Sequence, residues 1–163
     1  MDIRIGEEIP QRILFELFTD IAPDSCENFR KLCGGTFTNQ KGEKLTYKNT
    51  EFHRVVKGSF VQGGNLSKLG ISPLAQSIFE GYFPDETFEI NHTQVGLLGY
   101  CKKSGIKYSN ECQFYVTTGY PLSFMDHKYV IFGRVIQEDL ETLNQRPTCK
   151  VEIAECGEFD ARR

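Results

Sequence analysis

The sequence of 163 residues has no tryptophan and no long apolar run. Its longest apolar stretches, Val95–Tyr100 and Tyr129–Phe132, are far shorter than the roughly 18 residues that a membrane helix needs. The first residues, Met-Asp-Ile-Arg-Ile, carry an acid where a signal peptide has basic residues followed by an apolar run. We therefore expect a cytoplasmic protein that is not exported and does not bind membranes.

An excess of positive charge is also missing. The chain has 19 Lys and Arg against 22 Asp and Glu, which gives a net charge of −3, and no segment carries a basic stripe. Proteins that bind nucleic acids depend on clustered basic residues to neutralise phosphates. We therefore expect no nucleic acid partner.

Motifs for metal, phosphate or cofactor chemistry are absent. The sequence has no C-x-x-C, no H-x-x-x-H, no phosphate loop, no G-x-G-x-x-G and no G-x-S-x-G. The six cysteines would form a disulfide framework in a small secreted chain, but without an export signal most of them are expected as reduced thiols. The sequence therefore predicts no metal site and gives no support to a hydrolase, kinase or dehydrogenase.

What the sequence does contain is a strand-like rhythm. Short runs rich in Val, Ile, Phe and Tyr are separated by Gly, Asn, Asp and Pro at intervals of about ten residues, which is typical of a sandwich or barrel. The predicted strands are Asp2–Ile5, Gln11–Phe18, Glu51–Val56, Ser59–Gly63, Gly96–Cys101, Gln113–Thr117, Val130–Ile136 and Lys150–Cys156.

Two segments have a helical pattern instead. The first, between Ala22 and Gly35, has Pro near its start, a Gly pair at its end and apolar residues at helical spacing, namely Cys26, Phe29, Leu32 and Cys33. The second is shorter, runs over Gln137–Gln145 and is followed by Pro147. No linker or repeat divides the chain, so residues 1–163 are expected to form a single, mainly β domain in which one or two helices plug an antiparallel barrel.

Two polar residues stand out in an apolar segment. Arg54 and Gln62 are eight residues apart, and an even spacing puts side chains on one face of a regular strand, although Gly58 interrupts the register. In the simpler alternative, Arg54 extends to solvent over its apolar stem and Gln62 is an ordinary amide at a sheet edge. The aromatic residues between Phe114 and Tyr129 are equally consistent with ordinary core.

A set of motifs in a fixed order resembles the cyclophilins and covers nearly the whole chain. The matching segments are Glu27–Leu32, Tyr47–Lys48, Phe52–Val56, Val61–Gly64, Asp85–Phe88, His92–Thr93, Gly96–Leu98, Gln113–Val116 and Val130–Val135. The resemblance implies a closed eight-stranded antiparallel β-barrel capped by two α-helices. It also implies cis/trans isomerisation of X–Pro bonds in peptides and proteins, which assists protein folding and needs no cofactor.

The resemblance also implies which residues form the site. Arg54 matches the catalytic arginine, and Gln62 matches the glutamine that orients the arginine and the substrate. The implied substrate-binding residues are Phe60, Cys101, Lys102, Tyr115, Phe124, Met125 and Tyr129. An arginine suits the reaction, because a twisted amide has a pyramidal proline nitrogen that can accept a hydrogen bond from a permanently charged donor.

The sequence departs from the family pattern around this pocket. Ser59 stands where an aromatic wall is usual, Tyr129 replaces a histidine, and Phe124 replaces the tryptophan associated with tight cyclosporin binding. We therefore expect reduced isomerase activity and weak or no cyclosporin binding. The alternative is a catalytically weak or inactive subunit that binds proline-containing segments. If Phe60 turns into the pocket, an isomerase is favoured, whereas an open, shallow pocket favours docking.

Two further features resemble particular branches of the family. The long connection Thr36–Thr46 resembles the divergent-loop branch, in which positions matching Cys33 and Cys156 form a reversible disulfide. The alternative is a pair of buried free thiols. Residues 144–147, together with the altered pocket, resemble a cyclophilin-like member of the radial spokes of cilia. A ciliary axoneme, with the chain as a subunit of a larger assembly, is therefore the alternative location.

Overall fold

A computed structural model describes residues 1–71, 76–136 and 150–159. They form one α-helix, α1 (Pro23–Gly34), and two short 3-10 helices, Leu66–Leu69 and Ser123–Met125. The strands are β1 (Asp2–Ile5), β2 (Gln11–Arg12), β3 (Phe15–Leu17), β4 (Phe37–Thr38), β5 (Lys44–Leu45), β6 (Arg54–Val56), β7 (Phe60–Gly63), β8 (Leu97–Tyr100), β9 (Phe114–Thr117), β10 (Ile131–Val135) and β11 (Val151–Glu155).

The described strands pair antiparallel in three sheets. The largest has the order β3-β10-β8-β9-β7-β6, the second has the order β11-β1-β2, and β4 pairs with β5. The prediction of a mainly β, antiparallel protein is confirmed. The predicted closed barrel is not present as one continuous sheet in the described part of the chain. The eight predicted strands are observed as nine, because Gln11–Phe18 is divided into β2 and β3, and the pair β4–β5 was not predicted.

Backbone hydrogen bonds nevertheless join the two larger sheets. Phe52, just before β6, donates its N–H to the carbonyl of Val151 in β11 at 3.0 Å, and Ile153 donates to Thr50 at 2.8 Å. On the other side, β2 and β3 are successive parts of the one predicted strand Gln11–Phe18. That prediction was wrong in its continuity, because the chain changes partner from β1 to β10 between the two parts.

Helix α1 confirms the first helix prediction. Pro23 occupies its first turn, where a missing N–H costs no helical hydrogen bond. At its end, Gly35 adopts a left-handed conformation with φ of 57° and donates its N–H to the carbonyl of Lys31. Residues Gln137–Gln145, the second predicted helix, lie outside the described residues.

The main core lies between α1 and the sheets, and Phe29 is at its centre. The Phe29 ring is 5.3 Å from the rings of Tyr47 and Phe114 and 5.4 Å from that of Phe132, centroid to centroid. Aromatic pairs at these distances and tilts stabilise a core beyond the area that they bury. In the described part of the chain, no helix is long and apolar enough to cross a membrane.

Candidate active site

Arg54 and Gln62 do lie side by side, but not for the reason that their even spacing suggests. They belong to two strands, β6 and β7, which pair antiparallel so that Arg54 is directly opposite Gln62. The turn between the strands contains Gly58 with φ of 69°, a conformation that favours glycine. Opposite residues of an antiparallel pair project from the same face. The hairpin therefore places the cation beside the amide.

A second apolar cluster, separate from the main core, lies beside this pair. Tyr115, Leu122 and Met125 are its buried members, and Phe60, Cys101 and Tyr129 are partly buried against them. We call these six residues the outer cluster. The structure thus brings together five of the seven predicted substrate-binding residues, which come from β7, β9 and the segments that follow β8 and β9.

Arg54 is at the edge of the outer cluster. Its guanidinium carbon lies 5.4 Å from the ring centroid of Phe60, a distance at which a cation and an aromatic face attract each other. Phe60 in turn meets Tyr115 edge to face at 5.9 Å, and Tyr115 meets Tyr129 at 6.0 Å. The arrangement is a row of three aromatic rings with an exposed cation at one end.

Ser59 is almost buried, with 9% of its surface exposed. Its carbonyl accepts hydrogen bonds from the backbone of Thr118 at 2.8 Å and Gly119 at 3.1 Å, so it ties the hairpin to the end of β9. Gly119 is required here, because a Cβ at this position would lie 1.8 Å from the carbonyl oxygen of Gly58. The aromatic ring next to Ser59 that reaches the outer cluster is that of Phe60.

Gln62 is oriented by a neighbouring amide. Its Nε2 donates to Oε1 of Gln113 at 2.9 Å. With the nitrogen used in this way, the side-chain oxygen of Gln62 remains as its acceptor. An acceptor beside a guanidinium can hold either the arginine or an incoming N–H group in position.

Cys101 and Lys102, the two predicted residues of the strand that contacts peptide, have different surroundings. The backbone N–H of Cys101 donates to the carbonyl of Gln113 at 2.9 Å, and burial raises the pKa of its thiol. Lys102 donates from Nζ to Oδ2 of Asp85 at 2.6 Å and lies 6.0 Å from the ring centroid of Tyr129. Asp85 is only 5% exposed, so this ion pair is largely desolvated.

Lys102 and Phe124 are the two predicted substrate-binding residues that lie outside the outer cluster, and Phe124 is also exposed to solvent. Its side chain is 61% exposed, although its neighbour Met125 is 3% exposed and buried in the cluster. Both residues are in the same short 3-10 helix, whose three residues per turn point them in different directions.

His92 is a site residue that the sequence reasoning missed. Its ring is 1% exposed, with Nε2 at 2.7 Å from the hydroxyl of Tyr115 and Nδ1 at 2.8 Å from Oδ1 of Asp126. The backbone N–H of His92 also donates to that carboxylate, which lowers the pKa of Asp126. These hydrogen bonds hold the hydroxyl of Tyr115 in place through the His92 ring. The motif His92-Thr93 was a signal, but Asp126 is 34 residues away in the chain.

Cys33, a buried residue near the end of α1, and Cys156, which follows β11, lie within hydrogen-bond distance of each other. Burial raises the pKa of the Cys33 thiol, whereas a hydrogen bond from Cys33 lowers the pKa of Cys156. Both thiols are free. In the described part of the chain, no three His, Cys, Asp or Glu side chains are grouped in a way that could hold a metal ion.

The fold and the site together define a class of antiparallel β protein in which an exposed arginine borders a cluster of aromatic rings. The chain belongs to the cyclophilin family, since residues 1–158 match the family described as cyclophilin type peptidyl-prolyl cis-trans isomerase/CLD.

Individual relatives agree with this assignment. The chain is 40% identical over 167 residues to the NK-tumor recognition proteins of Mus musculus and Homo sapiens, which covers 96% of this chain and 11% of theirs. It is 42% identical over 169 residues to peptidyl-prolyl cis-trans isomerase H of Rhizopus delemar, which covers 97% of this chain and 92% of that protein. The chain thus spans about a tenth of the length of the first two relatives.

Proposed function

We propose that the protein is a peptidyl-prolyl cis-trans isomerase that acts on X–Pro bonds of peptides and proteins and so assists protein folding. The observation that carries the proposal is the position of Arg54, whose guanidinium lies 5.4 Å above the Phe60 ring at the open end of the outer cluster. A proline ring seated on the aromatic rings would put its amide nitrogen next to this donor.

The physical chemistry of the reaction explains the arrangement. Rotation about the X–Pro bond breaks amide resonance against a barrier of about 18–20 kcal/mol. The nitrogen of a twisted amide has a localised lone pair that can accept a hydrogen bond, whereas in the planar ground state this pair is delocalised into the carbonyl. A hydrogen bond from Arg54 to that lone pair therefore stabilises the transition state more than the ground state, and each 1.36 kcal/mol gained in this way is worth about tenfold in rate.

The other residues position the substrate. Gln62, held by Gln113, presents its oxygen toward Arg54 or a substrate N–H. Phe60, Tyr115, Met125 and Tyr129 surround the proline ring, and Cys101 and Lys102 border the peptide backbone. Phe60 meets the criterion stated above, since it packs against Tyr115. That contact supports an isomerase over a purely docking subunit, while the loss of an aromatic ring at Ser59 supports reduced activity.

The test is the NMR exchange rate between the cis and trans forms of a short Ala-Pro peptide. We expect the wild-type protein to accelerate exchange. In Arg54→Ala we expect this acceleration to fall by at least about tenfold, because a hydrogen bond from a charged donor is worth about 1.5–3 kcal/mol. Arg134→Ala is the matched control, since Arg134 is an exposed arginine on β10 that pairs with Glu16. No acceleration by wild type under reducing conditions would favour the docking subunit.

We propose weak cyclosporin binding on the evidence of Phe124. A phenylalanine has no N–H donor, whereas the tryptophan at the matching family position has one. We expect Phe124→Trp to increase cyclosporin affinity without changing the exchange rate of a short peptide. Unchanged affinity, measured by fluorescence titration, would show that Phe124 does not limit the binding of this ligand.

We further propose that the two larger sheets are parts of one closed eight-stranded barrel, capped by α1. The hydrogen bonds of Phe52 and Ile153 support closure on one side, and the succession of β2 and β3 supports it on the other. Protection of the amides of Phe52 and Ile153, the two donors between the sheets, against hydrogen exchange would test the closure. For location, we propose the cytoplasm, with the ciliary axoneme as the alternative that imaging of the tagged protein can test.

The thiol pair supports a separate proposal, a reversible disulfide between Cys33 and Cys156. The lowered pKa of Cys156 favours the thiolate, which attacks peroxide to give a sulfenic acid, and the Cys33 thiol then forms the disulfide, with release of two waters in all. We expect one disulfide after peroxide treatment and none in Cys156→Ser. Cys112→Ser is the control. If mass spectrometry shows that Cys33 and Cys156 both remain free thiols in peroxide-treated wild type, the bond is excluded.

A further inference from the structure

A cleft of about 630 Å³ lies next to the outer cluster. Of the residues that line it, only Lys102 and Tyr129 have a role in the proposed isomerisation. It is lined by the segment after β8, residues 102–108, and by residues 127–129. Phe88 and Tyr129 supply its apolar surface, and Ile106 and Tyr108 are exposed apolar side chains along the first segment. The cleft is therefore an amphipathic groove and not a polar surface channel.

The charge of the cleft differs from that of the whole chain. The protein has a net charge of −3, yet Lys102, Lys103, Lys107 and Lys128 all line this cleft. The acid among the lining residues is Asp85, and it is nearly buried in its ion pair with Lys102. Glu111 lies near Lys103 and partly offsets its charge. Lys107 and Lys128 are exposed, and the Nζ of Lys128 is held against the carbonyl of Phe124 at 2.8 Å.

The cleft is continuous with the proposed proline site. Tyr129 belongs to the outer cluster and also lines the cleft, and Lys102 lies 6.0 Å from the Tyr129 ring while it lines the same cleft. A peptide whose proline is seated in the outer cluster would thus continue into the cleft. Its side chains would then meet Lys107 and Lys128.

We propose that this cleft is a specificity subsite that selects peptides with acidic side chains, Asp or Glu, close to the proline. The occupant is a segment of the proline-containing substrate, so the inference rests on the proposed function. Charge complementarity identifies its chemistry: Lys102 is neutralised by Asp85 and Lys103 is partly offset by Glu111, which leaves Lys107 and Lys128 as the exposed positive charges of the groove. Apolar walls beside the lysines hold the stems of the acidic side chains, and the lysines hold the carboxylates.

The test compares two labelled peptides, Glu-Glu-Ala-Pro-Ala-Glu-Glu and the same peptide with Gln in place of Glu, by fluorescence polarisation. We expect the acidic peptide to bind about fivefold more tightly at low salt, since exposed ion pairs contribute modestly. The preference is expected to shrink as the salt concentration rises. The variant Lys107→Glu/Lys128→Glu is expected to lose the preference and to bind the Gln peptide as wild type does.

The matched control is Lys41→Glu/Lys44→Glu, which changes the net charge equally at two exposed lysines around the β4–β5 turn. This variant is expected to keep the preference. Loss of the preference in both double variants would attribute it to net charge and overturn the subsite. Equal binding of an acidic peptide with Ala in place of Pro would reveal a general anion patch and would overturn it too.

The remaining outcomes separate the subsite from the isomerase. Equal affinity of wild type for the Glu and Gln peptides overturns the subsite and leaves the proposed function standing. Absence of binding to either peptide, with no acceleration of Ala-Pro exchange, overturns both. Acceleration of Ala-Pro exchange without any acidic preference overturns the subsite alone.

Discussion

The main core and the outer cluster lie on opposite faces of one strand, β9. Phe114 points into the main core, where its ring is 5.3 Å from that of Phe29 and 5.1 Å from that of Tyr47. The next residue, Tyr115, points into the outer cluster and meets Phe60 and Tyr129. Successive residues of a strand alternate between its faces. One four-residue strand thus serves both the stability of the fold and the surface of the site.

The two regions are held by different interactions. The main core consists largely of apolar side chains, and Phe29 is surrounded by rings on several sides. The outer cluster is small, has the exposed Arg54 at its edge, and is joined through Tyr115 to the hydrogen bonds that His92 makes with Tyr115 and Asp126. The comparison indicates that the main core is held by apolar packing, whereas the proposed site is also anchored by directional hydrogen bonds.

The largest expected effect is on the main core. Phe29→Ala removes the central ring, and we expect the free energy of unfolding to fall by about 3–5 kcal/mol, because a cavity is left behind. Urea denaturation measures this. The control is Ile9→Ala, whose side chain is 87% exposed, with an expected change within about 0.5 kcal/mol. A small effect of Phe29→Ala would contradict the assignment of stability to the main core.

A smaller effect on stability, with a clear effect on the site, is expected for His92→Ala. The change leaves the hydroxyl of Tyr115 and the carboxylate of Asp126 without this partner, which costs about 1–3 kcal/mol for buried polar groups. We expect a higher KM for an Ala-Pro peptide together with this loss of stability. Wild-type KM in a destabilised variant would show that the network serves only the fold.

The removal of a single hydroxyl is expected to cost less. Tyr115→Phe keeps the aromatic ring in the outer cluster but removes the partner of His92, and we expect a loss of about 1 kcal/mol in unfolding free energy. Combined with His92→Ala, the two effects are expected to be non-additive, since both remove the same hydrogen bond. Full additivity in the double variant would contradict a direct His92–Tyr115 interaction.

The smallest expected effect is a pH dependence from Asp126. Hydrogen bonds from His92 lower the pKa of this carboxyl in the folded state. A lowered folded pKa means that Asp126 stabilises the fold above its ordinary value near 3.8, and that this contribution is lost as the pH falls through the folded pKa. We expect Asp126→Asn to lose less stability than wild type when thermal denaturation is compared between neutral pH and acid. An identical acid response would rule out this contribution.

The local elements could be predicted from the sequence because their causes are local. Apolar residues at helical spacing, with a proline at the start and a glycine pair at the end, placed α1 correctly. Alternation and turn residues located most strands, but Gln11–Phe18 was divided because the two halves pair with different strands. The strand propensity of a segment does not indicate that its two halves pair with different strands.

The site was partly predictable. The motifs identified Arg54 and Gln62, but their adjacency comes from a hairpin and not from one continuous strand. Phe124 was expected in the pocket and is exposed, since the 3-10 helix turns Met125 inward instead. His92 could not be assigned, because its partners are 23 and 34 residues away.

The sequence by itself determined the class of fold, the first helix, the family and the chemical groups available for a site. Only the tertiary structure decided which of those groups meet: Phe60 with Arg54 and Tyr115, His92 with Tyr115 and Asp126, and the lysines of residues 102–128 around one cleft. The physical reason is range. Helix caps and strand alternation depend on neighbours in the chain, whereas hydrogen bonds and ring contacts depend on distances of a few ångströms between residues that the fold alone brings together.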